Sequence, residues 1–128
     1  MAKAVEVLES AFSAVDAGDF GTYAGLLHPE MQLTVPGRSR FAKTYKGPEE
    51  IMAFFGSLDE ASDGTFKHDS QSVYGDDSTA VCVYKMSAVR NGRKFEWDQV
   101  NVYQVRDGKI ADVQSHIQQQ YEFDQFWG

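Results

Sequence analysis

Thr79-Ala80-Val81-Cys82-Val83-Tyr84-Lys85-Met86-Ser87-Ala88-Val89-Arg90-Asn91-Gly92-Arg93-Lys94-Phe95-Glu96-Trp97-Asp98-Gln99-Val100-Asn101-Val102-Tyr103-Gln104-Val105-Arg106-Asp107-Gly108-Lys109-Ile110 is the stretch on which the fold turns. Runs rich in Val, Tyr and Phe alternate with Asn91-Gly92 and Asp107-Gly108. Such pairs tolerate the positive φ that tight hairpin turns demand of their central residues. Gly75-Asp76-Asp77-Ser78 is a further cluster of turn residues upstream. The spacing predicts four strands over about 65–74, 79–90, 94–106 and 109–120, paired as an antiparallel meander.

The first half reads differently. Val5, Leu8, Phe12 and Val15 recur at helical spacing, and Asp16-Ala17-Gly18-Asp19 then supplies a Gly near the C-cap with a fresh N-cap behind it. A second helix is expected from about Phe20 through Leu27, ended by Pro29, which restricts His28 to extended geometry. Met31-Gln32-Leu33-Thr34-Val35 alternates like a short strand and stops at Pro36-Gly37. Arg38 to Lys46 has no period but carries Phe41 and Tyr45, and reads as a long loop or an irregular edge over something apolar. Gly47-Pro48-Glu49-Glu50 opens a third helix whose apolar face is Ile51, Phe54, Phe55 and Leu58. The tail from Tyr121 to Trp127 is too aromatic for a free end. The expected class is α+β, with three N-terminal helices packed on one face of a curved antiparallel sheet.

The chain has 128 residues, 42% hydrophobic and 13% aromatic, which suits one compact domain over residues 1–128. Charged residues make up 24% and the longest apolar runs are only a few residues, which argues against disorder, collagen-like repeats and membrane spans. Twelve Lys and Arg against 19 Asp and Glu leave a formal charge of −7. An acidic surface repels phosphates, so no nucleic-acid partner is expected. The lone Cys82 forms no internal disulfide and builds no thiolate metal site by itself. Met1-Ala2-Lys3-Ala4-Val5-Glu6 lacks the uninterrupted apolar stretch of a signal peptide, so the expected compartment is a reducing cytoplasm.

Two helices split by Asp16-Ala17-Gly18-Asp19, then Val35-Pro36-Gly37, then Tyr45-Lys46-Gly47-Pro48-Glu49-Glu50-Ile51, then hairpins ending Val102-Tyr103-Gln104-Val105-Arg106-Asp107-Gly108-Lys109-Ile110, resemble the nuclear transport factor 2-like superfamily across essentially the whole chain. Within it the sequence is most similar to polyketide-cyclase-like (SnoaL-like) and ketosteroid-isomerase-like proteins. The resemblance implies a cone whose concave sheet face and helices enclose one apolar pocket, and whose outer sheet face commonly forms a homodimer. The fold hosts isomerases, dehydratases, epoxide hydrolases, cyclases and proteins that only bind.

Placing the ketosteroid isomerase positions by counting puts the general-base Asp on Val35, the helix-one oxyanion Tyr on Ala11 and the protonated oxyanion-hole Asp on Asn101. A valine cannot shuttle a proton, while Asn101 retains a hydrogen bond to offer a carbonyl oxygen. The Asp, Arg, Asp relay of the epoxide hydrolases and the His with Asp of the dehydratases are not matched either: Asp98 and Asp112 fall on neighbouring predicted strands, and His116 further along the last.

Strand alternation counted from Asn101 puts Trp97, Gln99 and Tyr103 on its face, and the isomerase-like register adds Cys82, Tyr84, Met86 and Ala88. Val100 and Val102 are left for the outer face. The candidate catalytic residues are therefore His116, as proton carrier, and Asn101, as orienting amide. The candidate ligand-binding residues are Trp97, Gln99, Tyr103, Tyr84 and Met86. The parity of the last strand stays open between His116 and the pair Ser115 and Ile117. Cys82 reads as a packed hydrophobe. His28 and His68 are too scattered for a metal site, no glycine-rich phosphate loop is present, and neither metal nor cofactor is expected. Arg38, Arg40 and Lys43 form either a solvated edge or a lure for an anion at the cone mouth.

The expected partner is a hydrophobic small molecule. Two readings remain: a cofactor-independent isomerase, cyclase or hydrolase of a polyketide-like or terpenoid-like carbonyl compound, or a non-catalytic dimeric ligand-binding or accessory protein.

Overall fold

A computed structural model describes residues 2–128. Its elements run α1 (Lys3–Asp16), α2 (Phe20–Gly25), β1 (Leu27–Val35), β2 (Lys43–Lys46), α3 (Gly47–Ala61), β3 (Lys67–Gly75), β4 (Thr79–Arg90), β5 (Arg93–Arg106), β6 (Lys109–Ile117) and α4 (Gln120–Trp127). The six strands form one curved, unclosed sheet in the order β2-β1-β6-β5-β4-β3. All neighbours are antiparallel except β1 and β6, which run parallel. The expected meander is thus β3 to β6. The strand from the first half joins its free edge at β6, which makes the sheet mixed.

Local chemistry explains the elements. Asp19 caps α2 by accepting from the Thr22 amide at 3.1 Å. Asn91 and Asp107 hold φ of 54° and 56° at the two hairpin turns, each followed by a positive-φ Gly. Asp76 Oδ1 accepts from the Ser78 and Thr79 amides, both at 2.9 Å, and so fixes the β3–β4 turn.

One segment differs from expectation, and two that the sequence left without a defined element take one. The second helix stops at Gly25, and Leu27 already belongs to a nine-residue β1. Pro29 is accommodated because the pairing of β1 with β6 is interrupted between Leu27 and Gln32, where a missing N–H costs no ladder bond. Within 38–46, Lys43–Lys46 is a true edge strand antiparallel to β1. Its Tyr45 is buried and donates its hydroxyl to the Phe41 carbonyl at 2.8 Å. The tail is a fourth helix that buries Phe123, Phe126 and Trp127. Trp127 meets Phe41 edge-on at 5.3 Å and Trp97 at 6.3 Å between ring centres. Gly37, at φ 100°, lets α4 close in, and Gln120 Nε2 donates to the Pro36 carbonyl.

The core lies between the helices and one sheet face. Ala80, Cys82, Tyr84, Met86 and Ala88 of β4, Trp97, Asn101 and Tyr103 of β5, and Val113, Ser115 and Ile117 of β6 are buried on that face. No helix is long and apolar enough to cross a membrane among the described residues.

Candidate functional site

Between the inner sheet face and α1, α2 and α3 lies a cavity of about 560 Å³, within the range of small-molecule sites. Its walls are mostly apolar, with Phe12, Met31, Val35, Phe54, Phe55 and Phe123 among them. The polar groups that β4, β5 and β6 present form one band. Trp97 Nε1 donates to Gln99 Oε1 at 2.9 Å, and Gln99 Nε2 donates to Asn101 Oδ1 at 2.9 Å. Asn101 Nδ2 donates to the Tyr103 hydroxyl at 3.2 Å, and that oxygen lies 2.6 Å from the Tyr84 hydroxyl. Gln99 Nε2 also reaches the Ser115 hydroxyl at 3.5 Å.

The chain has a direction. Tyr103 oxygen accepts from Asn101, the two phenols bring two O–H groups, and the bond between them uses one. One phenolic O–H is left over. Burial pushes the Tyr103 phenol up to about 12 and raises Tyr84 further, so both stay protonated donors at neutral pH.

His68 also lines the cavity. Its ring lies 4.9 Å from the Tyr84 ring at a 37° tilt and 5.7 Å from that of Phe66. By surface area His68 is exposed to solvent, although protein packs around its imidazole. Desolvation by that packing lowers its pKa, and the charges of Asp16 and Asp69 partly oppose the fall. A β-bulge puts it there. His68 pairs with Met86, Ser70 with Lys85 and Gln71 with Tyr84, so the extra residue Asp69 lets both His68 and Gln71 face inward.

Residues 8–113 match the model of the SnoaL-like domain. The chain belongs to that family. An uncharacterised protein of Mycobacterium tuberculosis is 23% identical over 124 residues, covering 96% of this chain and 95% of the relative. Among solved structures, Bal32a from a soil-derived mobile gene cassette superposes with a TM-score of 0.91 at 28% identity, covering 98% of this chain and 97% of its own. A nuclear transport factor 2-like protein of Burkholderia xenovorans superposes at 0.85 with 17% identity over 98% of this chain and 96% of its own, which shows the fold.

In this SnoaL-like chain the sequence-selected residues divide by face. Asn101, Trp97, Gln99, Tyr103, Tyr84 and Met86 all line the cavity. His116 does not. It is exposed and pairs with Val100 on the outer face, while Ser115 and Ile117 point inward. The expectation of a proton carrier at His116 is corrected accordingly, because alternation puts it on the far side of the sheet from the cavity. Asp98 is bonded on the outer face to Gln119 and to Lys85 at 3.0 Å, which hold its carboxyl below the usual range. Asp112 is absent from the lining, and partial burial raises its pKa. Val35 lines the cavity, and Ala11 is fully buried in α1. Cys82 is fully buried, which raises its thiol pKa.

Asp16, Tyr23, Asp59, His68 and Gln71 are polar wall residues to which the sequence reading gave no place in the cavity, and Ser115 is the side of the last strand that it left open. Strict alternation back from Gln71 puts Asp69 and Lys67 inward and His68 outward. No Gly or Pro in Lys67-His68-Asp69-Ser70 signals the bulge that reverses this.

Proposed function

We propose that this SnoaL-like protein binds a hydrophobic carbonyl compound in the cavity and performs acid–base chemistry on it without a cofactor, as an isomerase, cyclase or hydrolase of polyketide-like or terpenoid-like molecules. His68 is the proton carrier in this reading. A neutral imidazole beside the cavity accepts a proton from the carbon next to the carbonyl, and Asp16, near enough for its charge to raise the His68 pKa, favours the imidazolium that forms. The leftover phenolic O–H of the Tyr84–Tyr103 pair and the second N–H of Asn101 donate to the carbonyl oxygen as its charge grows. Trp97, Gln99 and Met86 shape the wall that excludes water. One observation carries the reading: a base held neutral and a directional row of donors converge on one apolar cavity.

The experiment is proton exchange at the carbon next to the carbonyl of β-tetralone, followed by NMR in heavy water. Acceleration by the protein, reduced by roughly a hundredfold in His68→Gln with the fold intact, supports catalysis. Binding without exchange favours the second reading, a ligand-binding protein, which rests on Val35 standing where the resemblance places an isomerase base. The outer face, with Val81, Val83, Val100 and Val102 in adjacent positions, is the surface we assign to a second copy of the chain.

A further inference from the structure

The reading above leaves the charge class of the ligand unassigned, and the cavity wall supplies it. Among the described lining residues there are two carboxylates, Asp16 and Asp59, and no Lys or Arg. Asp16 ends α1, Asp59 stands in the last turn of α3, and neither last turn carries a basic residue. A helix C-terminus is the negative end of its aligned peptide dipoles. Two acids placed there strengthen a potential that repels anions, within a chain whose net charge is already −7.

The cations nearest in sequence to the mouth stand elsewhere. The Lys43 ammonium lies over the Tyr45 ring, 4.7 Å from its centre, and the Arg40 guanidinium faces Gly128 beyond the end of α4. Neither lines the cavity, nor does Arg38. Of the two alternatives for this loop, the exposed positions of Arg38, Arg40 and Lys43 fit the solvated edge.

The donors left inside are neutral. Asn101 Nδ2 keeps one N–H, and the Ser115 hydroxyl, which accepts from Gln99, keeps its O–H. Tyr23 of α2 packs edge-on against Phe55 and lines the cavity, and its hydroxyl has no hydrogen-bond partner among the described residues. Such a wall satisfies an acceptor oxygen. An anion there would leave water and meet no counter-charge, which is far costlier than burying a neutral oxygen that finds a donor.

We infer that the cavity takes an uncharged ligand bearing an acceptor oxygen, of ketone, quinone or lactone class, and rejects carboxylates, sulfonates and phosphates, with Asp16 and Asp59 setting that preference. The inference rests on the cavity being a small-molecule site. Its test is displacement of the fluorescent probe N-phenylnaphthylamine at about pH 8, where an unperturbed imidazole is already neutral, by the matched compounds naphthylacetamide and naphthylacetate. The amide displaces the probe at a roughly tenfold lower concentration than the acetate. Hydration of the acetate alone contributes to that gap, so a variant carrying Asp16→Asn and Asp59→Asn is the deciding arm. Both residues are exposed at helix ends where a negative charge opposes the dipole, so the variant folds. In it the gap narrows to about threefold.

Acetate binding as tightly as amide in the wild type overturns the inference. A gap unchanged in the double variant overturns the role of Asp16 and Asp59. Failure of N-phenylnaphthylamine to bind at all, in wild type and variant alike, overturns the small-molecule reading itself and the inference with it.

Discussion

The phenolic oxygens of Tyr84 and Tyr103 lie 2.6 Å apart on neighbouring strands, and only the Tyr103 oxygen also receives the amide of Asn101. The pair is therefore unequal. Removing the Tyr103 hydroxyl strands both a buried amide N–H and the Tyr84 hydroxyl, whereas removing that of Tyr84 leaves Tyr103 still bonded to Asn101.

Tyr103→Phe is expected to cost about 1–3 kcal/mol of stability, the desolvation cost of buried groups left unpaired, and Tyr84→Phe clearly less. Thermal denaturation followed by circular dichroism reads the difference as a lower Tm for Tyr103→Phe. Equal values, or the reverse order, would show that Asn101 is not anchored on Tyr103.

His68 gives a pH dependence whose sign follows from its lowered pKa, caused first by burial. Between the folded value and the ordinary value of about 6.5 the unfolded chain binds more protons than the native one, so stability rises with pH through that window and this contribution is lost below it. The base form persists to the same low pH. In the exchange reaction the acid limb of the rate profile accordingly falls below about 6.5. Asp16→Asn removes a charge that raises the His68 pKa, and moves that limb lower still. A limb that does not move in Asp16→Asn would disconnect the two residues.

The contrast between Asn101 and His68 shows how far the sequence reached. Asn101 was legible through the resemblance, which puts an isomerase oxyanion-hole position on it, and the count carried because strict alternation holds across β4 and β5 from Thr79↔Gln104 to Arg90↔Arg93 without a break. Alternation from Asn101 then brought Trp97, Gln99 and Tyr103, and the isomerase-like register brought Tyr84 and Met86. His68 was not legible because one inserted residue at Asp69 inverts the parity of the start of β3, and no side-chain pattern announces a bulge. His116 failed for a related reason. Its face depends on the register of β6, which shifts between Gln104 and Val105, and the sequence left that parity open. The parallel seating of β1 on β6 is a long-range pairing with no local sequence signature.

Trp127 gives a third prediction. It is fully buried against Phe41, Trp97, Phe123 and Phe126, and its indole N–H has no hydrogen-bond partner among the described residues. Trp127→Ala leaves a cavity at the junction of α4 with the sheet and is expected to cost about 3–5 kcal/mol. Trp127→Phe keeps a ring and deletes the unsatisfied donor, so part of its packing loss is offset by about 1–3 kcal/mol. Urea denaturation of the two variants should separate them widely. A Phe variant as unstable as the Ala variant would mean that ring size alone governs the site.

The outer face supplies the last prediction. Val81 opposes Val102 and Val83 opposes Val100 across β4 and β5, and Val83 is 44% exposed. These cross-strand pairs form an apolar strip on the sheet face opposite the cavity, half-buried at Val81, Val100 and Val102 and exposed at Val83, and the Lys85–Asp98 ion pair stands beside it. A two-fold axis through the strip would bring each valine against the same strip of a second copy and remove it from water at roughly 25 cal/mol per Å². Sedimentation at micromolar concentration is expected to show a dimer. Val83→Glu would bring like charges together near the axis and yield a monomer with an unchanged circular dichroism spectrum, since the inner face is untouched. A wild-type chain that sediments as a monomer would leave this face to water and remove the second copy from the account.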